Sequence, residues 1–236
     1  SSRRASWTRT ELAAEATAAT SNFAIDQAAM ARAVGAQATR VSSADTAVDD
    51  AIRAFSIARD ARRTVLVNLP LEVQGSECAA PVGRAPSNLP APVEPVADDI
   101  AALAGVLADA QRPVLIAGRG ARHARSELLE LGDAAGALLA TSAVAKGLFH
   151  GSPWSLDVSG GFASPLAAEL IGAADTVVGF GCALNMWTTR HGRLIGSGAR
   201  VVQVDLEASA LGRHRPIDLG VVGDSATTAT AVTEAL

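Results

Sequence analysis

RTVLVNLPLEVQ, residues 63–74, is the stretch on which the organisation of this chain turns. Thr64 to Leu69 is a short apolar run of the kind a parallel strand buried on both faces requires, and Pro70 ends it because proline lacks the donor that a strand interior needs. From Gly75 to Val96 come five prolines among Gly, Ser and Asn, without apolar periodicity, which is the composition of a semi-rigid surface linker. The quoted run therefore reads as the closing strand of one domain. A second domain is expected to begin near Ala97.

Working upstream, Ala24 to Val34 and Ala44 to Arg62 carry helical spacing, with Ser43 or Asp45 placed to cap the second helix, and Ala38 to Val41 is strand-like. Two strands and two or three helices cannot close a core, so this portion is expected to be a partial α/β segment. Downstream, Asp98 to Ala110 is an alanine- and leucine-rich helix and Pro113 to Ala117 a buried strand that stops at Gly118-Arg119-Gly120, with a helix following through Leu131. Leu138 to Thr141, Leu156 to Ser159, Thr176 to Phe180, Val201 to Asp205 and Leu219 to Val222 are further short apolar runs, most of them separated by helix-compatible segments. The expected fold class is α/β: a six-stranded parallel sheet with helices on both faces, a Rossmann-like domain, preceded by the partial segment.

Composition bounds the function. Apolar residues make up 49% of the chain, charged residues 19%, and the net charge is −4. Basic residues are scattered rather than striped between aromatics, so no nucleic-acid surface is expected. No apolar run approaches the length of a bilayer span, and the opening SSRRASWTRTELAAEATAAT lacks the apolar core of a signal peptide. Cys78 and Cys182 fit neither a disulfide framework nor a metal site, and a reducing cytoplasm is the simplest setting.

Ligands of open α/β sheets bind outside the carboxyl ends of the strands. Strand after strand here ends on small or hydrogen-bonding residues: Gly118 and Gly120, Thr141 and Ser142, Ser159 to Gly161, Gly179 and Gly181, Asp205, then Gly223 and Asp224. Glycine lets backbone amides approach a phosphate, and a carboxylate at a strand end accepts from ribose hydroxyls. The candidate nucleotide crevice is thus Gly118, Gly120, Thr141, Gly160, Gly181, Asn185, Asp205 and Asp224, although each glycine singly is also ordinary turn grammar. Gly118-Arg119-Gly120 supplies only the first half of a G-x-G-x-x-G fingerprint, and the acidic residue expected about twenty positions on is missing, which counts against a conventional dinucleotide dehydrogenase. Asn185, Trp187, Arg190 and His191 read first as satisfied surface positions, with the crevice or a neighbouring domain's substrate channel as the alternative. Lys146 and His150 read as solvated loop charges, Cys182 as a small packing residue, and Trp154 as a loop anchor. His123 and His214 lack ligand partners in sequence, so no metal site is expected.

VLVNLPLEVQ, RPVLIAGRG, AADTVVGFG and ARVVQVDLEASALGRHRPIDLGVVGD, taken together from about residue 24 to 236, resemble the thiamine-diphosphate-dependent enzymes of the acetolactate synthase and benzoylformate decarboxylase type. Residues 1–22 do not align. The resemblance implies that residues 1–75 are the C-terminal part of a pyrimidine-binding domain, 76–96 a linker and 97–236 the central domain. It also implies a parent enzyme that uses thiamine diphosphate and magnesium to decarboxylate or ligate 2-oxo acids, working as a homodimer or homotetramer with its remaining domains as partners. The activating glutamate and the diphosphate- and magnesium-holding segment of that family have no counterpart here, so the chain is expected to be an inactive fragment with no catalytic residue of its own.

Central domains of this type hold FAD in some members, ADP in others and nothing in many. Gly118, Gly120, Thr141, Gly160, Gly181 and Asp205 match the FAD-binding members. Their Arg-Phe-Asp-Asp, however, is replaced by Ala183-Leu184-Asn185-Met186, and their Gly-Met-His-Gly by Gly160-Gly161-Phe162-Ala163. Losing an arginine and a histidine removes charge-assisted contacts to a bound anion. An empty structural crevice is therefore the expectation, ahead of FAD or an ADP-type nucleotide. The alternative from another class is a free-standing nucleotide-binding module without catalysis.

Overall fold

A computed structural model describes residues 25–78 and 91–236; residues 1–22 and most of the expected linker lie outside these. The chain divides into two compact units, one ending at Pro90 and the other beginning at Ala91.

In the first unit, α1 (Gln27–Ala33) leads into β1 (Gln37–Arg40), α2 (Ala47–Asp60), β2 (Val65–Asn68) and a single turn, α3 (Leu71–Gln74). Asp26 starts α1 by accepting from the Ala29 amide at 2.8 Å, and Gly35, at φ +77°, supplies the left-handed residue that turns the chain into β1. β1 and β2 pair in parallel, Gln37 opposite Val65 and Arg40 opposite Asn68. α2 is capped by neither of the residues expected. Thr46 holds the cap position, and the Ser43 hydroxyl instead accepts from the Thr46 amide, tightening the preceding turn. The core here is small, with Ala54 and Ala58 of α2 against Val65 of β2.

The second unit is a six-stranded parallel sheet in the order β5-β4-β3-β6-β7-β8. Its strands are β3 (Pro113–Ala117), β4 (Leu138–Thr141), β5 (Ser155–Val158), β6 (Thr176–Phe180), β7 (Arg200–Asp205) and β8 (Leu219–Val222). The helices are α4 (Ala97–Ala108), α5 (Arg125–Ala135), α6 (Pro165–Gly172) and α7 (Ser225–Ala235). The period-two alternation of strands divides the core cleanly. Leu115, Leu139, Val178, Phe180, Val202 and Val204 point to the face covered by α4, α5 and α7. Val114, Ile116, Ala140, Val177 and Val201 point to the other, where α6 contributes Ile171.

That second face departs from the expected alternation. Instead of a helix, the β6–β7 connection folds as successive turns that press Leu184, Leu194 and Ile195 onto the sheet. Leu184, Arg190 and His191 all adopt positive φ, as does Gly192, and no α-helix propagates through such residues. The strands enter the sheet through carboxylates at the opposite edge. Asp175 accepts from the Gln111 and Arg112 amides at 3.0–3.1 Å, and Asp218 from the Val201 amide at 2.7 Å. Among the described residues no helix is long and apolar enough to cross a membrane.

Candidate functional site

β3 and β6 lie side by side at the centre of the sheet while their connections leave in opposite directions, which makes their carboxyl ends the topological switch point. The turns that follow them are in direct backbone contact. The Gly118 amide donates to the Phe180 carbonyl at 2.8 Å and the Gly120 amide to the Gly181 carbonyl at 3.0 Å. A β-carbon on Gly181 would lie 2.5 Å from the Gly120 Cα, and one on Gly120 2.8 Å from the Gly181 Cα. One on Gly118 would overlap the Gly181 carbonyl. These glycines permit one turn to pack against another, and their amides are spent on the neighbouring strand end.

The remaining predicted positions sit along the same edge with their own partners. Thr141, fully buried, donates its hydroxyl to the Asp157 carbonyl at 3.1 Å. Gly160 takes φ +88° beneath the Trp187 carbonyl, where any β-carbon would collide. Asn185 Oδ1 accepts from the amides of Trp187 and Thr188 at 3.1 and 3.2 Å, closing a turn on itself. Asp205 Oδ1 accepts from the Glu207 amide at 3.2 Å. Asp224 caps α7: its Oδ1 accepts from Ala226 and Thr227, and its Oδ2 lies 2.8 Å from His123 Nε2. The structure thus gathers Gly118, Gly120 and Gly181 into one knot and joins Gly160 to the segment after Asn185. Asp224 is tied to the turn after β3 through His123.

Two groups of this edge escaped the sequence reading. Gln203, fully buried on β7, donates through Nε2 to the carbonyls of Cys182 and Ala210 at 3.1 and 3.3 Å and accepts from the Gly212 amide at 2.9 Å. Its polarity within VQVD was a signal, but its partners are remote in sequence. The second is a set of contacts between the connections after β5 and β6. Ser159 donates to the Thr188 carbonyl at 2.9 Å, and the Gly161 amide to the Trp187 carbonyl at 3.0 Å. Arg190 reaches the carbonyls of Gly160 and Ala163 at 2.9 and 3.1 Å. Lys146 and Asp157 form a long, exposed pair at 3.9 Å, and Trp154 is exposed.

The edge holds no nucleophile poised for reaction. Burial pushes the Cys182 thiol up to about 11, so it stays protonated at neutral pH. Among the described residues no group of three His, Cys, Asp or Glu side chains could hold a metal, so the donor set does not fit a magnesium diphosphate site. The first unit carries a separate shallow cavity of about 240 Å³ at the carboxyl ends of β1 and β2. Asn68 and Gln27 are among its lining residues, and the buried Oδ1 and Oε1 of these two have no partner.

Comparison with known proteins gives the context. The model of a family described as "Thiamine pyrophosphate enzyme, central domain" matches residues 100–232. The chain is 29% identical over 188 residues to "Probable acetolactate synthase 2, chloroplastic" of Oryza sativa subsp. japonica, covering 75% of this chain and 28% of the relative. It is 29% identical over 210 residues to "Probable 2-ketoarginine decarboxylase AruI" of Pseudomonas aeruginosa, covering 88% of this chain and 37% of that one. The chain therefore spans well under half the length of these curated relatives. Among solved structures, a protein isolated from Mycobacterium smegmatis and assigned as a thiamin diphosphate-dependent enzyme superposes with a TM-score of 0.69 at 17% identity, over 98% of this chain and 45% of that one. That superposition establishes the shared fold.

Proposed function

Because this chain belongs to the thiamine pyrophosphate enzyme central-domain family, we propose that it is the middle portion of a thiamine-diphosphate- and magnesium-dependent enzyme that decarboxylates or ligates 2-oxo acids. The observation that carries the reading is the family match over residues 100–232, which falls on the six-stranded unit. The names of the two curated relatives, a synthase and a 2-keto acid decarboxylase, support the substrate class. In this reading residues 1–75 are the C-terminal part of a pyrimidine-binding domain, 76–96 a linker and 97–236 the central domain. The parent works in the cytoplasm as a homodimer or homotetramer.

Thiamine diphosphate supplies the carbanion chemistry in such enzymes, while the protein supplies placement and electrostatics. In this reading the described residues contribute placement. Asp224 caps a helix, Asp175 and Asp218 tie strand entries, and the buried Cys182 thiol is held protonated. Residues 1–236 by themselves are expected to show no turnover.

The test is carbon dioxide release from a panel of 2-oxo acids by the full-length parent polypeptide, with and without thiamine diphosphate and magnesium. Turnover that requires both is the expected result, with none from residues 1–236 alone. A parent that neither binds thiamine diphosphate nor turns over any 2-oxo acid would overturn the reading.

A further inference from the structure

The connections after β5 and β6 meet although β4 and β3 stand between those strands in the sheet. At a strand spacing of about 4.8 Å the contact bridges roughly 14 Å of the carboxyl edge. Four hydrogen bonds make the bridge: Ser159 to Thr188, Gly161 to Trp187, and Arg190 to both Gly160 and Ala163. Its floor is dry, since Ser159, Thr188 and Thr189 are buried at 2%, 7% and 3% exposure. Gly160 is the only residue type that fits under the Trp187 carbonyl, so the approach is built into the sequence. Beside it, the knot of Gly118, Gly120 and Gly181 occupies the switch point itself.

A phosphate bound at such an edge needs amides that point at it unpaired. Here the amides of Gly118, Gly120, Gly161, Gly181 and Gly223 each already donate to a protein carbonyl. Of the two strand-end carboxylates predicted to accept from a ribose, Asp224 is engaged by α7 and His123, and Asp205 gives one oxygen to the Glu207 amide. Opening the bridge for a ligand would strand the Arg190 guanidinium and two carbonyls, and unpaired groups of that kind are costly when buried.

We infer that this bridge is a resident closure, with Arg190 as its strut, and that the carboxyl-edge crevice of the domain is filled by the protein's own atoms and takes neither FAD nor an ADP-type nucleotide. The arginine does with two backbone carbonyls what a ligand would do with the two connections: it fixes their separation. Phe162 and Trp187, 74% and 65% exposed, are turned outward by the same arrangement. The inference concerns this domain alone and holds whatever the parent enzyme acts on.

The experiment pairs ligand binding with hydrogen exchange on residues 1–236. Isothermal titration with FAD, ADP and coenzyme A, each at millimolar concentration, is expected to give no heat of binding for the unaltered chain. The amides of Gly161 and Thr189 are expected to be protected, and Arg190→Ala is expected to speed their exchange about tenfold or more while β3 and β6 stay protected. Should Arg190→Ala fail to fold, Arg190→Lys, which keeps the charge but not the fork, gives the same comparison. Stoichiometric binding of any of the three nucleotides by the unaltered chain overturns the inference. So does unchanged protection of Gly161 in a folded variant.

Discussion

His123 Nε2 lies 2.8 Å from Asp224 Oδ2, tying the turn after β3 to the first turn of α7. The carboxylate is mostly buried and the imidazole half exposed. Asp224 uses its other oxygen on the Ala226 and Thr227 amides, so one side chain both starts a helix and fastens it to a neighbouring turn. Asp224→Ala is expected to lose about 1–2 kcal/mol in urea unfolding, the usual cost of a helix cap. Asp224→Asn, which keeps an acceptor for the amides, loses less. His123→Ala loses under about 1 kcal/mol, because solvent competes for an exposed partner.

Gly181 and Gly136 both hold positive φ, at +51° and +62°, yet they separate strain from collision. Nothing lies within 4 Å of a β-carbon added to Gly136, whereas one on Gly181 meets the backbone of Gly120 and Ala121 at 2.5–2.7 Å. Gly136→Ala is expected to cost about 1 kcal/mol from the left-handed conformation alone. Gly181→Ala must in addition push two turns apart and is expected to leave the protein insoluble or to cost more than about 3 kcal/mol. Parallel thermal melts of the two variants check this.

Replacing Gln203 with leucine removes three hydrogen bonds from a site without water access and leaves the Cys182 and Ala210 carbonyls and the Gly212 amide to find other partners. The expected loss is about 2–4 kcal/mol. Gln203→Glu is expected to be at least as damaging, since a carboxylate cannot donate to two carbonyls. Denaturant midpoints at constant slope measure both.

The glycines at 118, 120, 160 and 181, the six strands and their parallel direction were legible in the sequence, because short apolar runs that alternate with helical segments and end on small residues point to a parallel sheet; the order of the strands was not. Chemistry at those positions was not. A glycine that admits a phosphate and one that admits another turn look alike until the partner is known, and Gly120 meets Gly181 across a long stretch of intervening chain. The conformation of the β6–β7 connection was not legible: it folds as turns that pack Leu184, Leu194 and Ile195 on the sheet, contacts that the local sequence does not announce. In the first unit the cap position of α2 falls at Thr46, with the Ser43 hydroxyl accepting from the Thr46 amide.

Of the two cysteines, Cys78 is exposed and Cys182 buried. With an aromatic disulfide reagent at pH 8, the native protein is expected to yield one reactive thiol and the unfolded protein two. Because burial raises the folded Cys182 thiol from 9.0 to about 11, the unfolded state gives up its proton first. That contribution to stability is complete below about pH 9 and is lost as pH rises through about 11, amounting to on the order of 2 kcal/mol. Cys182→Ser or Cys182→Ala should flatten the alkaline limb of a stability profile measured across that window.

The sheet is made of two sequential triplets, β3-β4-β5 and β6-β7-β8, whose one strand pairing across the middle is β3 with β6. Each triplet can assemble from near neighbours along the chain, but the joint needs distant segments to meet, and its turns interlock only after they have met. The knot of Gly118, Gly120 and Gly181 is therefore expected to set late in folding, which refolding followed by pulsed hydrogen exchange would check. A bulkier residue there is expected to slow the meeting of β3 and β6, and a species with those two edges open is where aggregation would begin.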